Sequence, residues 1–500
     1  MNQSSPINKN QTIEIIITDM AFGGRGIGRI DDFTIFIDGG IIGQTVEAKI
    51  TKKKKRYAEA KMIKVIKRGE LEIETPYQTI SGAPWMSLPI EKQRELKQEQ
   101  VESLMKRIGG IEMTVPDITP SPETFHYRNK VEYSFGPTDE SYIETEESIE
   151  GANEKIAKKQ WTHTGFGLGF KKRGTYWLVE SLRKPSGLFD ERFETQLSKI
   201  EDFCKSTDLP VYNAKTQEGF WRNLTIRKSF HQDKLLICIG TSPFEDENIK
   251  KKIHTEFSAL VQSLHGERVA GIAWQESKSL GDSIRNFESR DWLFGTELIT
   301  EKINDLEFQI SIDSFFQTNP LSAEKLYDRV GQLLSNLPKS SENSTIMDLF
   351  CGTGTIGQIL KKQDPTRNII GVEIVPEAIK DAKENAKRNS IEGIQYFADD
   401  VGKFLFTRPE YHGKIETIIV DPPRAGIAPK TLRKVMRLEA RNIIYISCNP
   451  ATMARDLQTL NEWGYKLTQF ECVDQFPHTA HIECIGVLEK VAFNPPERVS

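Results

Sequence analysis

A cysteine just ahead of a helix and a carboxylic acid two residues after a histidine are the side chains here best suited to covalent chemistry. The cysteine is Cys448, in Ser447-Cys448-Asn449-Pro450-Ala451-Thr452, which runs into the helical pattern ATMARDLQTLNEWG. Asn is a good N-cap and Pro is favoured at the first helical position. The positive end of that helix is expected to lower the Cys448 thiol pKa and favour thiolate. Cys204, Cys238 and Cys472 read as inert small hydrophobes. The acid is Glu483, in the strand-like HIECIGVLE that follows DQFPH. Alternation puts His481, Glu483 and Ile485 on one face and Ile482 and Cys484 on the other. The first face is either solvated or holds a general base, with His481 nearby to orient it or bind phosphate.

Other candidates stand at the ends of short apolar runs. STIMDLF is followed by Cys351-Gly352-Thr353-Gly354-Thr355-Ile356-Gly357, whose glycines permit a tight turn and a close backbone approach to a ligand. This G-x-G-x-x-G suits a dinucleotide, a nucleoside cofactor or a purely structural turn. Glu373 ends NIIGVE about twenty residues on, where an acid accepts from ribose hydroxyls. Asp399-Asp400 follows IQYFA, and either carboxylate could accept from an adenine amino group. ETIIVD ends in Asp421-Pro422-Pro423-Arg424-Ala425-Gly426, a loop that paired prolines make rigid.

These runs and NIIYIS, with helical stretches such as PEAIKDAKENAKRN between them, signal βαβ units and a parallel sheet. Ligands of such sheets sit beyond the carboxyl ends of the strands. At roughly 150 residues per domain, 500 residues suggest about three. Residues 1–70 read as a small β-barrel, 71–300 as a mixed α+β domain and 301–500 as the α/β catalytic domain. Residues 90–108 look helical, with Val101, Leu104, Met105 and Ile108 on the buried face. Thr138 to Glu154, with seven acids and no Lys or Arg, reads as a solvated loop or insertion. Lys49 to Arg68 holds about ten basic residues, among them Lys52, Lys53, Lys54, Lys55 and Arg56, interleaved with Tyr57, and is expected to contact RNA.

The net charge of −4 argues against a uniformly basic coat but leaves room for such a patch. With 38% hydrophobic and 28% charged residues the chain is globular, and no apolar run approaches the roughly 18 residues of a membrane span. The polar start MNQSSPINKN lacks the apolar core of a secretory signal. None of the six cysteines forms a Cys-x-x-Cys pair, so a reduced cytoplasmic protein is expected, with no metal site.

Taken together, FFQTN (315–319), DLFCGTGTIG (348–357), DPPRAG (421–426), SCNPATMARDL (447–457) and DQFPHTAHIE (474–483) resemble the RNA uracil-C5 methyltransferases. YRNKVEYSFG (127–136) is similar to that family's central-domain signature, and residues 23–50 resemble the TRAM domain, an RNA-binding barrel. The resemblance implies a Rossmann-like catalytic domain that uses S-adenosylmethionine. It implies Cys448 as nucleophile on uracil C6 and Glu483 as the base that removes the C5 proton. It also implies a cofactor site of Gln317, Phe350, Gly352, Gly354, Thr355, Glu373, Asp400 and Asp421. Arg128, Asn129, Lys130 and His481 are expected on the RNA side. The target must be unpaired or flipped, and the TRAM-like start points to 23S ribosomal RNA ahead of transfer RNA. A monomer is expected.

One departure from the family is marked. Many TRAM-bearing relatives ligate an iron–sulfur cluster around Cys-Gly-Gly-Cys, where this chain has Ile80-Ser81-Gly82-Ala83, and no cysteine precedes Cys204. No cluster is therefore expected. A nicotinamide oxidoreductase would suit the glycine loop but leaves DPPRAG and SCNPAT unexplained, and a non-catalytic RNA-binding protein has no use for Cys448 and Glu483 together.

Overall fold

The computed structural model describes residues 7–148, 155–281, 287–338 and 344–491, in which three large sheets follow one another along the chain. The first has six strands in the spatial order Thr12–Ile16, Thr45–Lys53, Tyr57–Lys67, Phe33–Asp38, Arg25–Ile30, Asp19–Ala21. Alternation buries Ile13, Ile15, Ile35, Ile37, Val46, Ala48 and Ile50 inside it. Gly28 lets two strands close together, since a Cβ there would lie 2.6 Å from the Ile15 side chain.

The central sheet has seven strands, from Val179–Ser181 at one edge to Ser289–Gly295 at the other. Its pairs are antiparallel except Lys234–Thr241 with Val269–Glu276, which the helix Glu247–His265 connects. Tyr133, Phe135, Trp221 and Trp274 fill its core. The expected loop at 138–154 is corrected here. Asp139–Ser148 is a strand paired antiparallel with Lys155–Thr164, in a register that sets Glu144 against Lys159. The density of acids had suggested solvation, but Tyr142, Ile143 and Thr145 among them favour a strand, and the partner strand comes later in the chain. Residues 149–154 lie outside the described residues.

The helix spans Ile90–Arg107, but its buried face differs from the expected one. Val101 and Met105 are sealed, whereas Ile108 is 39% exposed, and Gln93, Leu96, Lys97 and Gln100 complete the face. Two of these are polar because they hold a distant loop. Lys97 Nζ pairs with Asp474 at 2.5 Å and donates to the Phe476 carbonyl at 3.1 Å. Gln93 Oε1 accepts from the His478 N–H at 2.7 Å. An apolar periodicity cannot register such a face.

The last sheet has the order Ile394–Ala398, Asn368–Glu373, Thr345–Leu349, Ile415–Val420, Asn442–Ser447, Glu483–Lys490, Tyr465–Val473. The first five strands are parallel, as the apolar runs suggested, and Glu483–Lys490 runs against its neighbours on both sides. Among the described residues no helix is long and apolar enough to cross a membrane.

Candidate active site

The chain reverses its direction of travel across this sheet between Thr345–Leu349 and Ile415–Val420, which opens a crevice beyond their carboxyl ends. Phe350 and Asp421 are the residues that emerge there. One strand further on, topology does the rest. The parallel strand Asn442–Ser447 ends where the antiparallel strand Glu483–Lys490 begins, with Ser447 opposite Cys484. Cys448 and Glu483, 35 positions apart in sequence, therefore reach the same edge of the sheet. Asn449 caps the helix Pro450–Glu462, its side chain accepting from the Ala451 N–H at 3.2 Å. The Asn449 amide and the Thr452 hydroxyl donate to the Arg424 carbonyl at 2.9 and 3.3 Å, joining the Asp-Pro-Pro-Arg loop to the cysteine loop.

Glu483 is 4% exposed, which rules out the solvated face considered above. Burial, and then Asp421, hold its carboxyl well above the usual range, with Arg424 opposing. Cys448 is half-buried, and the expected lowering of its pKa is corrected. Burial, followed by Glu483, pushes the thiol up to about 11, with Arg424 pulling the other way. The helix terminus acts from one side only, while two carboxyls and low-dielectric surroundings act from the others.

Asp421 is pushed up to about 7 by burial. Asp348, sealed in the neighbouring strand, rises to about 8 through burial and then Asp421. For a carboxyl raised in the fold, the ionised form is the disfavoured one, so its penalty is absent at low pH and grows as pH rises from about 4 through the folded value. Asp421→Asn is accordingly expected to raise the melting temperature of the free protein at about pH 8, while leaving it nearly unchanged at about pH 4. Equal shifts at both pH values in thermal scans would contradict this.

The glycine loop has the shape of a cradle. Gly354 is left-handed (φ 71) and starts the helix Thr355–Gln363, and a Cβ on it would strike the Tyr396 hydroxyl at 2.5 Å. Gly352 is also left-handed (φ 53), but a Cβ there would meet nothing within 4 Å, so the loop faces open space. Phe350 adopts φ 64, a strained choice for a non-glycine residue of the kind that gathers at functional sites. Glu373 accepts from the Gly352 N–H at 3.2 Å and the Val375 N–H at 3.0 Å, and beyond it Ile374 is 62% exposed. A carboxylate, free loop space and an exposed aliphatic face fit a cofactor with a ribose and a flat base. Thr355 is buried against Thr353, with 3.3 Å between the hydroxyls. Asp400 caps the helix Val401–Thr407, accepting from the Lys403 N–H at 2.8 Å, whereas Asp399 pairs with Lys403 Nζ at 3.3 Å.

Among the residues expected on the RNA side, Asn129 is corrected. It is fully buried, and its amide donates to the Gln317 carbonyl at 2.9 Å while its own N–H donates to Thr318. It sets the 317–319 segment instead of facing a ligand. Arg128 and Lys130 are half-buried, with Arg128 Nε donating to the Lys130 carbonyl at 3.3 Å. His481 stands 3.3 Å from Arg424 Nη2. Lys52, Lys54, Lys55 and Arg56 are exposed at the barrel turn with half-buried Lys53, and Lys52 pairs with Glu59 at 3.1 Å.

Three site residues escaped the sequence reading. Asp348 lies inside its strand instead of at the end, where candidates were sought. Arg424 stood out only as part of the rigid Asp-Pro-Pro-Arg loop, yet it is the cation that Cys448, Glu483 and His481 share. Tyr327, on the helix Pro320–Asn336, is buried where Asp421 and Glu483 hold its hydroxyl pKa up after burial. No motif marked it.

Comparison with known proteins places the chain among relatives. Residues 288–491 match the sequence model of the tRNA (Uracil-5-)-methyltransferase family, and residues 7–63 match that of the TRAM domain. An uncharacterized RNA methyltransferase of Clostridium acetobutylicum is 34% identical over 491 residues, covering 97% of this chain and 99% of its own. Another, from Caldanaerobacter subterraneus subsp. tengcongensis, is 33% identical over 485 residues, 96% of this chain and 99% of its own. The crystal structure of Pyrococcus abyssi tRNA (uracil-54, C5)-methyltransferase in complex with S-adenosyl-L-homocysteine shares the fold, with a TM-score of 0.67 and 22% identity over 95% of this chain and all of that one. The chain belongs to the RNA uracil-C5 methyltransferase family of S-adenosylmethionine-dependent enzymes.

Proposed function

We propose that the protein converts an unpaired uridine of RNA, most directly of 23S ribosomal RNA, into 5-methyluridine through a covalent bond between Cys448 and uracil C6. The observation that carries this reading is the meeting of Cys448, Glu483, Arg424 and Asp421 at one sheet edge beside the glycine-loop crevice. Gln317, Phe350, Gly352, Gly354, Thr355, Glu373 and Asp400 would hold the cofactor, and Asp421 would stand between it and the uracil. When bound, S-adenosylmethionine supplies an electrophilic methyl group for C5.

The chain's own residues make C5 reactive. Uracil C5 is a weak nucleophile until the thiolate of Cys448 adds at C6 and sends an electron pair into an enolate, so one hard step becomes easier ones. Arg424 favours the thiolate against burial and the neighbouring acids. After transfer, Glu483 takes the C5 proton, the C5=C6 bond re-forms and the Cys448 sulfur leaves. Once ionised, a carboxylate held above the usual range is a stronger acceptor for that proton than an exposed one. Lys52 to Arg56 would grip the backbone electrostatically.

The choice of RNA is tested by mapping 5-methyluridine in all RNAs of cells with and without the protein. Loss confined to 23S ribosomal RNA is expected, and loss confined to transfer RNA would replace that substrate by the alternative.

A further inference from the structure

The helix Pro429–Arg437 follows the Asp-Pro-Pro-Arg loop and carries Lys430, Arg433, Lys434 and Arg437 with no acid among them. At 3.6 residues per turn these four cations share an arc of about 100°, in a stripe about 10 Å long. Leu432, Val435 and Met436 face the other way and are buried in the catalytic core. Lys430, Arg433 and Arg437 are exposed, and among the described residues none of the three makes an ion pair or hydrogen bond through its side chain. The acids of the stretch 399–441 are mostly engaged. Asp399 and Glu439 pair with Lys403 and Lys490 at 3.3 Å each, Asp400 caps a helix, Asp421 belongs to the reaction centre and Glu416 is buried. That leaves Glu410 on the surface. The whole chain has a net charge of −4, so the stripe is a local excess of positive charge.

The neighbouring helix Val401–Thr407 adds an aromatic. Phe406 is 72% exposed, more than any other large apolar side chain among the described residues. Lys434 Nζ lies 5.1 Å from the centre of its ring and donates to the Gly402 carbonyl at 2.7 Å, which fixes the cation beside the ring. A free aromatic face among cations suits a strand of bases, which stack on the ring while their phosphates meet the charges. Both helices start where the crevice opens, one at Asp400 and the other just after the loop that ends in Gly426. The surface is made by these two helices alone, without the barrel or the central sheet.

We propose that Lys430, Arg433, Lys434, Arg437 and Phe406 form a further RNA-binding surface on the outer helical layer of the catalytic domain, which holds an unpaired stretch of the substrate RNA flanking the target uridine. The proposal rests on the RNA methylation reading above. Phosphate contacts fix the register of a nucleic acid, and a uridine turned out of its stack leaves neighbouring nucleotides to be held outside the pocket. A membrane surface fits less well, because a helix lying on one needs its apolar face free. Here Leu432, Val435 and Met436 are only 1–2% exposed. The exposed ring favours a chain of bases over an acidic peptide.

Two triple variants separate this surface from net charge. The first combines Lys430→Gln, Arg433→Gln and Arg437→Gln. The control combines Lys380→Gln, Lys383→Gln and Lys387→Gln, three exposed positions on the helix Pro376–Arg388. That helix covers the other side of the same sheet, packing with Tyr396, whereas Phe397 points into the core beneath Pro429–Arg437. The probes are deproteinised 23S ribosomal RNA and bulk transfer RNA from cells lacking the protein, with filter binding across a salt series and the KM for RNA as readouts. The first variant is expected to weaken binding and raise that KM by about tenfold or more, and to flatten the log–log salt slope by about 2. The control is expected to stay within about threefold of wild type. Phe406→Ala is expected to weaken binding by about fivefold or more without changing the salt slope, and Phe406→Trp to restore it. Equal losses in the two triple variants, or none in the first, would overturn the surface, and full affinity in Phe406→Ala would overturn the stacking. If wild-type protein transfers no methyl group while the triple variants still differ in affinity, the catalytic reading fails and the RNA surface stands.

Discussion

Glu483→Gln is expected to leave the protein covalently attached to its RNA. The substitution preserves shape at a buried position but removes the proposed acceptor for the C5 proton. Addition of Cys448 and methylation still proceed, because neither needs Glu483 as a base. Elimination does not, so a protein–RNA species should build up in the presence of S-adenosylmethionine and resist denaturing electrophoresis. Turnover should fall by at least about 10²-fold, the usual contribution of a positioned base. Free methylated RNA released at the wild-type rate would remove Glu483 from its assigned role.

Cys448→Ala is expected to eliminate both turnover and adduct, by at least about 10³-fold in rate, since it removes the proposed nucleophile. The two variants differ in kind: one stops before the bond to sulfur forms, the other after. The wild-type pH profile bears on the same thiol. With Cys448 held up to about 11 in the free protein, the thiolate fraction rises with pH throughout the range below that value. Because kcat/KM reports groups of the free enzyme, it should climb towards alkaline pH with a slope near one. A plateau from neutral pH upward would mean that the thiolate is already formed when RNA arrives.

Much of the catalytic half was legible because its signals are local. Four apolar runs became the strands Thr345–Leu349, Asn368–Glu373, Ile415–Val420 and Asn442–Ser447, and Asn449-Pro450 starts a helix as the capping rule requires. What was lost depends on partners far away in sequence. The helix at 90–107 turns Lys97 and Gln93 inward only because Asp474 and the 478 backbone wait for them. Asn129 looked like a ligand contact until the 317–318 carbonyls accounted for its donors. The Cys448 thiol was judged from its own helix, without the acids that a neighbouring strand brings alongside. The acidic run at 139–148 lacked only its partner strand.

The segment 474–481 leads directly into Glu483, yet it is pinned by residues hundreds of positions earlier: Lys97 on Asp474, Gln93 on His478, and the Tyr127 hydroxyl on the Pro477 carbonyl at 3.0 Å. The carboxyl proposed as proton acceptor is thus aimed by the front half of the protein. Any recombination that grafts this catalytic half onto a foreign targeting module would have to bring the 90–107 helix along to keep Asp474 and His478 in place.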